Sequence, residues 1–142
     1  PECKWCANCP SDGDFAAWDL LRLSLGIPDG SRDAEVGTST LEELNIPRLH
    51  GVSFTKGCYV GQEVTARMHN REAGGKFHLH PVTLTEAASA SPALSDIFKE
   101  DVLIGKLRSH RDHLGLALLM DTAAEGAPTL ITLHATDKGW MV

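Results

Sequence analysis

After Gly74-Gly75 the chain stops reading as helix and begins to read as strand, and this change constrains the fold more than any other feature. Four short runs follow, 77–84, 102–109, 114–120 and 129–136, each rich in β-branched or large apolar residues and separated from the next by turn formers or small polar residues. Four or more such strands predict a small antiparallel sheet or barrel. Residues 85–95, rich in Ala and Ser, read as a mobile surface loop, and 123–128 as a tighter connection. The fold class expected is therefore α+β. A Cys-containing segment over 1–13 precedes a helical and loop segment over 14–75, and a β-barrel domain occupies 76–142.

Ahead of the glycine pair the helix signals are local. Asp14 reads as an N-cap, Phe15, Trp18, Leu21 or Arg22, and Leu25 form one stripe, and Gly26 and Pro28 close an amphipathic helix of about three turns. Trp18 and the leucines are expected to face the core. Residues 27–37 read as a turn-rich, solvated connection, with a rival reading in which Arg32 and the loop amides hold a carboxylate or phosphate. Ser39 and Glu42 have capping-box spacing and predict a short helix ending before Pro47. Residues 52–54 read as a short extended piece.

The octet Lys56-Gly57-Cys58-Tyr59-Val60-Gly61-Gln62-Glu63 carries the chemistry. Gly57 permits a sharp turn, and the helix formers that follow, with Glu63 four residues ahead of Arg67, predict a helix from Tyr59. Cys58 would then stand at or near the N-cap, where unpaired amides and the nearby Lys56 favour a thiolate. On such a helix Cys58, Gln62 and either Ala66 or His69 share a face. Gly61, unfavourable inside a helix, predicts a close approach by backbone or ligand. The competing reading makes Cys58 a small buried hydrophobe.

Composition narrows the function. With 42% hydrophobic and 23% charged residues the chain is globular rather than disordered, and its longest apolar run, 114–120, is far too short to span a bilayer. A net charge of -6 opposes non-specific binding to duplex nucleic acid, which depends on Lys and Arg neutralising phosphates. The four cysteines come without a secretory signal, which points to reduced thiols. No Walker loop, nucleophile elbow or dinucleotide fingerprint is present. Cys3, Cys6 and Cys9 have the spacing of soft metal ligands but lack an obvious fourth. His78 and His80 alternate on one strand face, and His110 and His113 approach a turn; without a supporting carboxylate or cysteine, none is read as a metal ligand.

The stretch from Phe54 to Glu63, followed by Thr65-Ala66-Arg67, resembles the signature of the folate-binding, glycine-cleavage-T-protein-like assembly factors for iron-sulfur proteins. Residues 22–33 resemble the family's segment upstream of the cysteine, and 104–109 with 115–119 resemble its C-terminal barrel. The resemblance covers residues 14–142. It implies a role in assembly or maintenance of four-iron proteins, with Cys58 as the functional thiol and Lys56 beside it. It also implies a tetrahydrofolate-type ligand near Gly57, Tyr59, Gly61, Gln62, Glu63 and Arg67, and iron-sulfur client or assembly proteins as partners. Neither duplex nucleic acid nor membrane is expected as a partner. The setting would be the cytoplasm in a bacterium and the mitochondrial matrix in a eukaryote. Rival functions are a folate-dependent aminomethyltransferase and a metal-binding module built on the first cysteines. Family members are about twice as long, and the half that forms most of the folate cavity is missing here. The chain opens at Pro1 rather than Met, as a fragment or processed product would. Where relatives are basic after the signature helix, this chain has Arg71-Glu72-Ala73-Gly74-Gly75-Lys76.

Overall fold

The computed structural model describes residues 13–70, 77–85, 96–121, 131–136 and 139–142. The three cysteines near the start, nearly all of the 85–95 loop and the 123–128 connection lie outside the described residues. Six strands, β1 (Phe77–Leu84), β2 (Asp96–Lys99), β3 (Val102–Arg111), β4 (Leu114–Met120), β5 (Ile131–Thr136) and β6 (Gly139–Met141), close into a barrel in the order β1-β4-β3-β2-β6-β5. The expected runs correspond to β1, β3, β4 and β5. β2 and β6, of four and three residues, are too short to show a strand pattern of their own. They matter for closure. β2 pairs in parallel with β6, and β1 pairs in parallel with β5 through Val82–Leu84 and Ile131–Leu133, so two parallel seams complete a barrel that is otherwise antiparallel.

The barrel interior holds Val82, Leu84, Ile97, Ile104, Leu107, Ala117, Leu119, Ile131, Leu133 and Trp140. A second cluster, Leu23 with Leu79 and Leu116, sits where the helix α1 (Phe15–Ser24) lies on the outside of the wall. β4 therefore has both faces covered, Ala117 and Leu119 inward and Leu116 toward α1, and it is almost continuously apolar for that reason. Gly105 is required by a close approach. A Cβ there would stand 2.1 Å from the Leu118 carbonyl oxygen on the neighbouring strand.

α1 begins where expected, with the Asp14 carboxylate accepting from the Ala16 amide at 2.9 Å. Its orientation is the reverse of the expectation. Phe15, Trp18, Leu21 and Leu25 are about half exposed, and the buried residues are Asp19, Arg22 and Leu23. Charge, not apolar area, turns the helix. Arg22 donates from Nε to Asp19 Oδ1 at 2.6 Å, from Nη1 to Asp33 Oδ2 at 2.7 Å and from Nη2 to Ser109 Oγ of β3 at 3.1 Å. Ser109 Oγ in turn donates to Asp33. Arg32 grips Asp19 through both terminal nitrogens at 2.8 and 3.1 Å, and Arg111 Nε reaches Asp19 Oδ2 at 2.7 Å. Phe15 lies within 5.9 Å of the Arg32 and Arg111 guanidinium carbons, and Trp18 at the same distance from that of Arg22, so the outward aromatic stripe roofs these cations.

The 27–37 connection is exposed along most of its length, as expected, but is pinned at Asp33. It contains a four-residue helix, α2 (Gly30–Asp33), with Asp33 fully buried, and Arg32 does hold a carboxylate, the chain's own Asp19. The capping box beyond it forms one residue later than expected. Thr40 N donates to Glu43 Oε2 at 2.9 Å and Glu43 N to Thr40 Oγ1 at 3.3 Å. No α-helix follows. Successive turns run over 41–50 and through Pro47, and the segment is stitched to β1 by Leu79 N to Glu43 O at 2.9 Å and Asn45 Nδ2 to Leu79 O at 2.6 Å. Residues 52–54 form no strand.

Burial pushes the Asp19 carboxyl up, but hydrogen bonds from Arg32, Arg111 and Arg22 outweigh it and hold the group well below the usual carboxylate range. A carboxylate depressed in the fold stabilises fully above its unfolded value, near 3.9, and the contribution is lost progressively as pH falls below that. Asp19→Asn is expected to destabilise the protein by about 3–5 kcal/mol at pH 7, because it removes from a buried site the one anion shared by Arg22, Arg32 and Arg111. The stability gap between the two proteins should shrink as pH falls below about 4. Urea unfolding of both proteins across pH checks this; equal midpoints at pH 7 would contradict it.

Candidate functional site

The signature lies on a loop that runs into a third helix, α3 (Gln62–His69), capped by Gly61. The helix starts three residues later than the sequence predicts. Gly61 has a φ of +87°, in the left-handed region that non-glycine residues rarely enter, and a Cβ there would meet nothing within 4 Å. Its glycine serves the backbone angle, not the close approach expected. Gly57 has equally open surroundings and is not among the glycines of positive φ. Cys58 therefore stands four residues ahead of the helix, exposed, and does not share a helical face with Gln62, Ala66 or His69. The buried-hydrophobe reading fails with the N-cap reading.

What the loop offers is access. The Lys56 ammonium lies 4.8 Å from the centre of the Tyr59 ring, a cation–π contact that organises the residues flanking the sulfur. The Tyr59 hydroxyl is buried and has no hydrogen-bond partner among the described residues. Arg67 Nη2 meets Glu63 Oε1 at 2.6 Å, the expected i,i+4 pair, with both side chains well exposed.

The rear of the loop approaches the barrel through a series of groups distant in sequence. The Phe54 ring stacks on His69 at the end of α3, with centroids 4.2 Å apart. His69 Nδ1 lies 3.4 Å from Glu42 Oε2, and Glu42 Oε1 lies 3.9 Å from Nε2 of the buried His78 on β1. His78 Nδ1 is hydrogen-bonded to Asp121 Oδ1 at 2.7 Å. The fold thus supplies the carboxylates that the sequence around His78 lacks, although no group of three or more His, Cys, Asp or Glu among the described residues is arranged to hold a metal ion. His80, two residues along the strand, has its proton affinity lowered by burial, with Asp121 opposing and His78 and Arg48 adding to the effect.

Among the described residues, cavities open beside these elements. One of about 330 Å³ separates residues 37–42 from α3 and has Gly61, Val64, Thr65 and Met68 on its wall. Of the residues expected to touch a folate-type ligand, only Gly61 lines it. Glu63 and Arg67 are tied to each other at the surface, and the volume is at the low end for small-molecule sites. The signature therefore does not by itself fit tetrahydrofolate. The second cavity, of about 520 Å³, lies between residues 31–36 and β3. Sequence reasoning missed Glu42, Asp121 and the Asp19–Arg22–Asp33 cluster. For the last, the i,i+3 charges on α1 beside Leu23 were a usable signal, since a charge buried with a core leucine must be paired.

No family model matches the chain. Among curated proteins it is 39% identical over 118 residues to the mitochondrial iron-sulfur cluster assembly factor IBA57 of Mus musculus and 36% identical over 117 residues to that of Homo sapiens. Each match covers 80% of this chain and 33% of the relative, so the chain spans about a third of the length of these relatives. It is also 42% identical over 53 residues, 37% of the chain and 16% of the other protein, to the tRNA-modifying protein YgfZ of Colwellia psychrerythraea.

Because Cys58 is exposed, iodoacetamide should alkylate it in the folded protein without prior unfolding. Mass-spectrometric labelling that found Cys58 protected until denaturant was added would contradict this placement.

Proposed function

We propose, since the chain is a relative of the iron-sulfur cluster assembly factors, that it acts in the assembly or maintenance of iron-sulfur proteins, with Cys58 as the working thiol. The observation that carries this reading is an exposed sulfur on a loop whose flank approaches the barrel through the Phe54–His69 stack and Glu42, which lies between His69 and His78. A thiolate is a soft ligand and the common holder of iron in clusters. Presented on an exposed loop, it can meet an iron or sulfur centre on another protein without first unfolding anything. Lys56, against the Tyr59 ring, is the cation two residues from the sulfur in sequence. The partners are then client or assembly proteins carrying four-iron clusters, and the compartment is the mitochondrial matrix for a eukaryotic chain and the cytoplasm for a bacterial one.

Folate enters this reading only through a longer fold. The described signature residues line too little of a cavity to enclose a pterin, so a tetrahydrofolate-type ligand would need walls from beyond the described residues. Aminomethyl transfer is the weaker reading for the same reason. It needs the folate enclosed and makes no use of an exposed thiol.

Cys58→Ala in a full-length protein carrying this chain should leave folding largely intact, because the side chain is exposed, yet reduce four-iron enzyme activities several-fold in cells lacking the factor. Full rescue by the Ala variant at matched protein level would overturn the thiol role. Titration of the 142-residue chain with tetrahydrofolate should show a Kd weaker than about 1 mM, or no saturation. Micromolar binding would instead put a complete folate site in this chain and favour one-carbon transfer.

A further inference from the structure

The reading above makes no use of the larger cavity. Arg32 and Asp33 line one side, Lys106, Arg108 and His110 the other, and Glu35 also contributes. Several of these charges are already committed. Arg32 is held by Asp19, and Asp33 by Arg22 and Ser109.

Arg108 differs from them. In the β3–β4 ladder Leu107 stands opposite Ala117 and Ser109 opposite Leu116, so Arg108 is the extra residue of a bulge. Bulges of this kind re-aim one side chain out of the strand's alternation. The re-aimed side chain is more than nine-tenths buried, and its Nε is buried with no hydrogen-bond partner among the described residues. Its carboxylate neighbour, Glu35, stands 3.7 Å from Nη2, beyond hydrogen-bond length, and is itself largely exposed. A guanidinium so buried is unfavourable unless its donors are met. Lys106, two residues earlier on the same strand, lines the same cavity with an exposed side chain.

We propose that this cavity is an oxyanion site, in which Arg108, with Lys106 beside it, binds a phosphate or carboxylate group. The guanidinium fork matches either group in bidentate geometry, and the lysine adds a point charge. Beside the pairs already committed, Arg108 and Lys106 face one exposed carboxylate, Glu35, so the cavity favours an incoming anion although the chain as a whole carries a net charge of -6. The arriving oxyanion displaces Glu35 from Arg108 and satisfies the buried donors that Glu35 leaves unmet. A volume of about 520 Å³ also leaves room for an organic body attached to that group.

The test is thermal unfolding of the whole chain titrated with inorganic phosphate and, separately, with glutarate, with chloride at matched ionic strength as control. A ligand that binds only the folded state raises the melting temperature in a saturable way. Saturation with phosphate alone assigns a phosphate ligand, with glutarate alone a carboxylate ligand, and with both the shared chemistry. Lys106→Met should weaken the response several-fold, Arg108→Met should abolish it, and Glu35→Gln should strengthen it by removing the competing carboxylate. Arg108 is buried and its variant can fail to fold; Lys106 and Glu35 are exposed, and their variants carry the test alone. No saturable response to either anion, or equal affinities in wild type, Lys106→Met and Glu35→Gln, would overturn the proposal.

Discussion

The buried guanidinium of Arg22 is the interaction on which the arrangement of this protein depends. It joins three separate pieces of chain: Asp19 on its own helix, Asp33 at the end of α2, and Ser109 on β3. Because both carboxylates are fully withdrawn from solvent, losing either one would remove part of the counter-charge that makes the buried Arg22 tolerable. That requirement turns α1 so that its charged stripe faces the barrel while its aromatic stripe covers Arg22, Arg32 and Arg111 from outside. The helix contributes one core leucine, Leu23. Its position is set by ion pairing more than by apolar area.

A looser version of the same device holds the signature. Glu42 stands between His69 at the end of α3 and His78 on β1, and His78 is secured from behind by Asp121. The contacts are longer than those around Arg22, and His69 is part exposed, so this attachment is weaker than the one beneath α1. The contrast is useful. The scaffold that meets the barrel is held by short, buried ion pairs, whereas the segment that presents Cys58 is attached through longer contacts.

Much of the barrel was legible in the sequence because strand signals are local. β1 and β4 begin and end where their apolar runs do, and the Asp14 cap is where its side chain predicts. What was not legible has a common cause. β2 and β6 exist because their neighbours offer open edges, the two parallel seams depend on closure, and the Arg108 bulge depends on a register counted across two strands. The helix after the signature was expected from Tyr59 because the residue types permit it, but Gly61 takes a left-handed angle that starts the helix at Gln62 and leaves Cys58 outside. The carboxylates beside His78 come from 36 residues before it and 43 after it, which no local window contains.

By itself the sequence determined the class of the fold, the strand-forming half, the first helix cap and the octet that relates this chain to iron-sulfur assembly factors, since each of these is written in neighbouring residues. Tertiary structure decided which face of α1 is buried, that Arg32 holds an internal carboxylate, that Cys58 is exposed on a loop, and that Arg108 is buried against a cavity. The orientation of α1 and the pairing of Arg32 are a competition between burying apolar area and pairing charge among groups far apart in the chain, whereas the loop position of Cys58 follows from the left-handed backbone at Gly61. Only the folded geometry brings the competitors within a few ångströms of one another, where the pairing of charge can win.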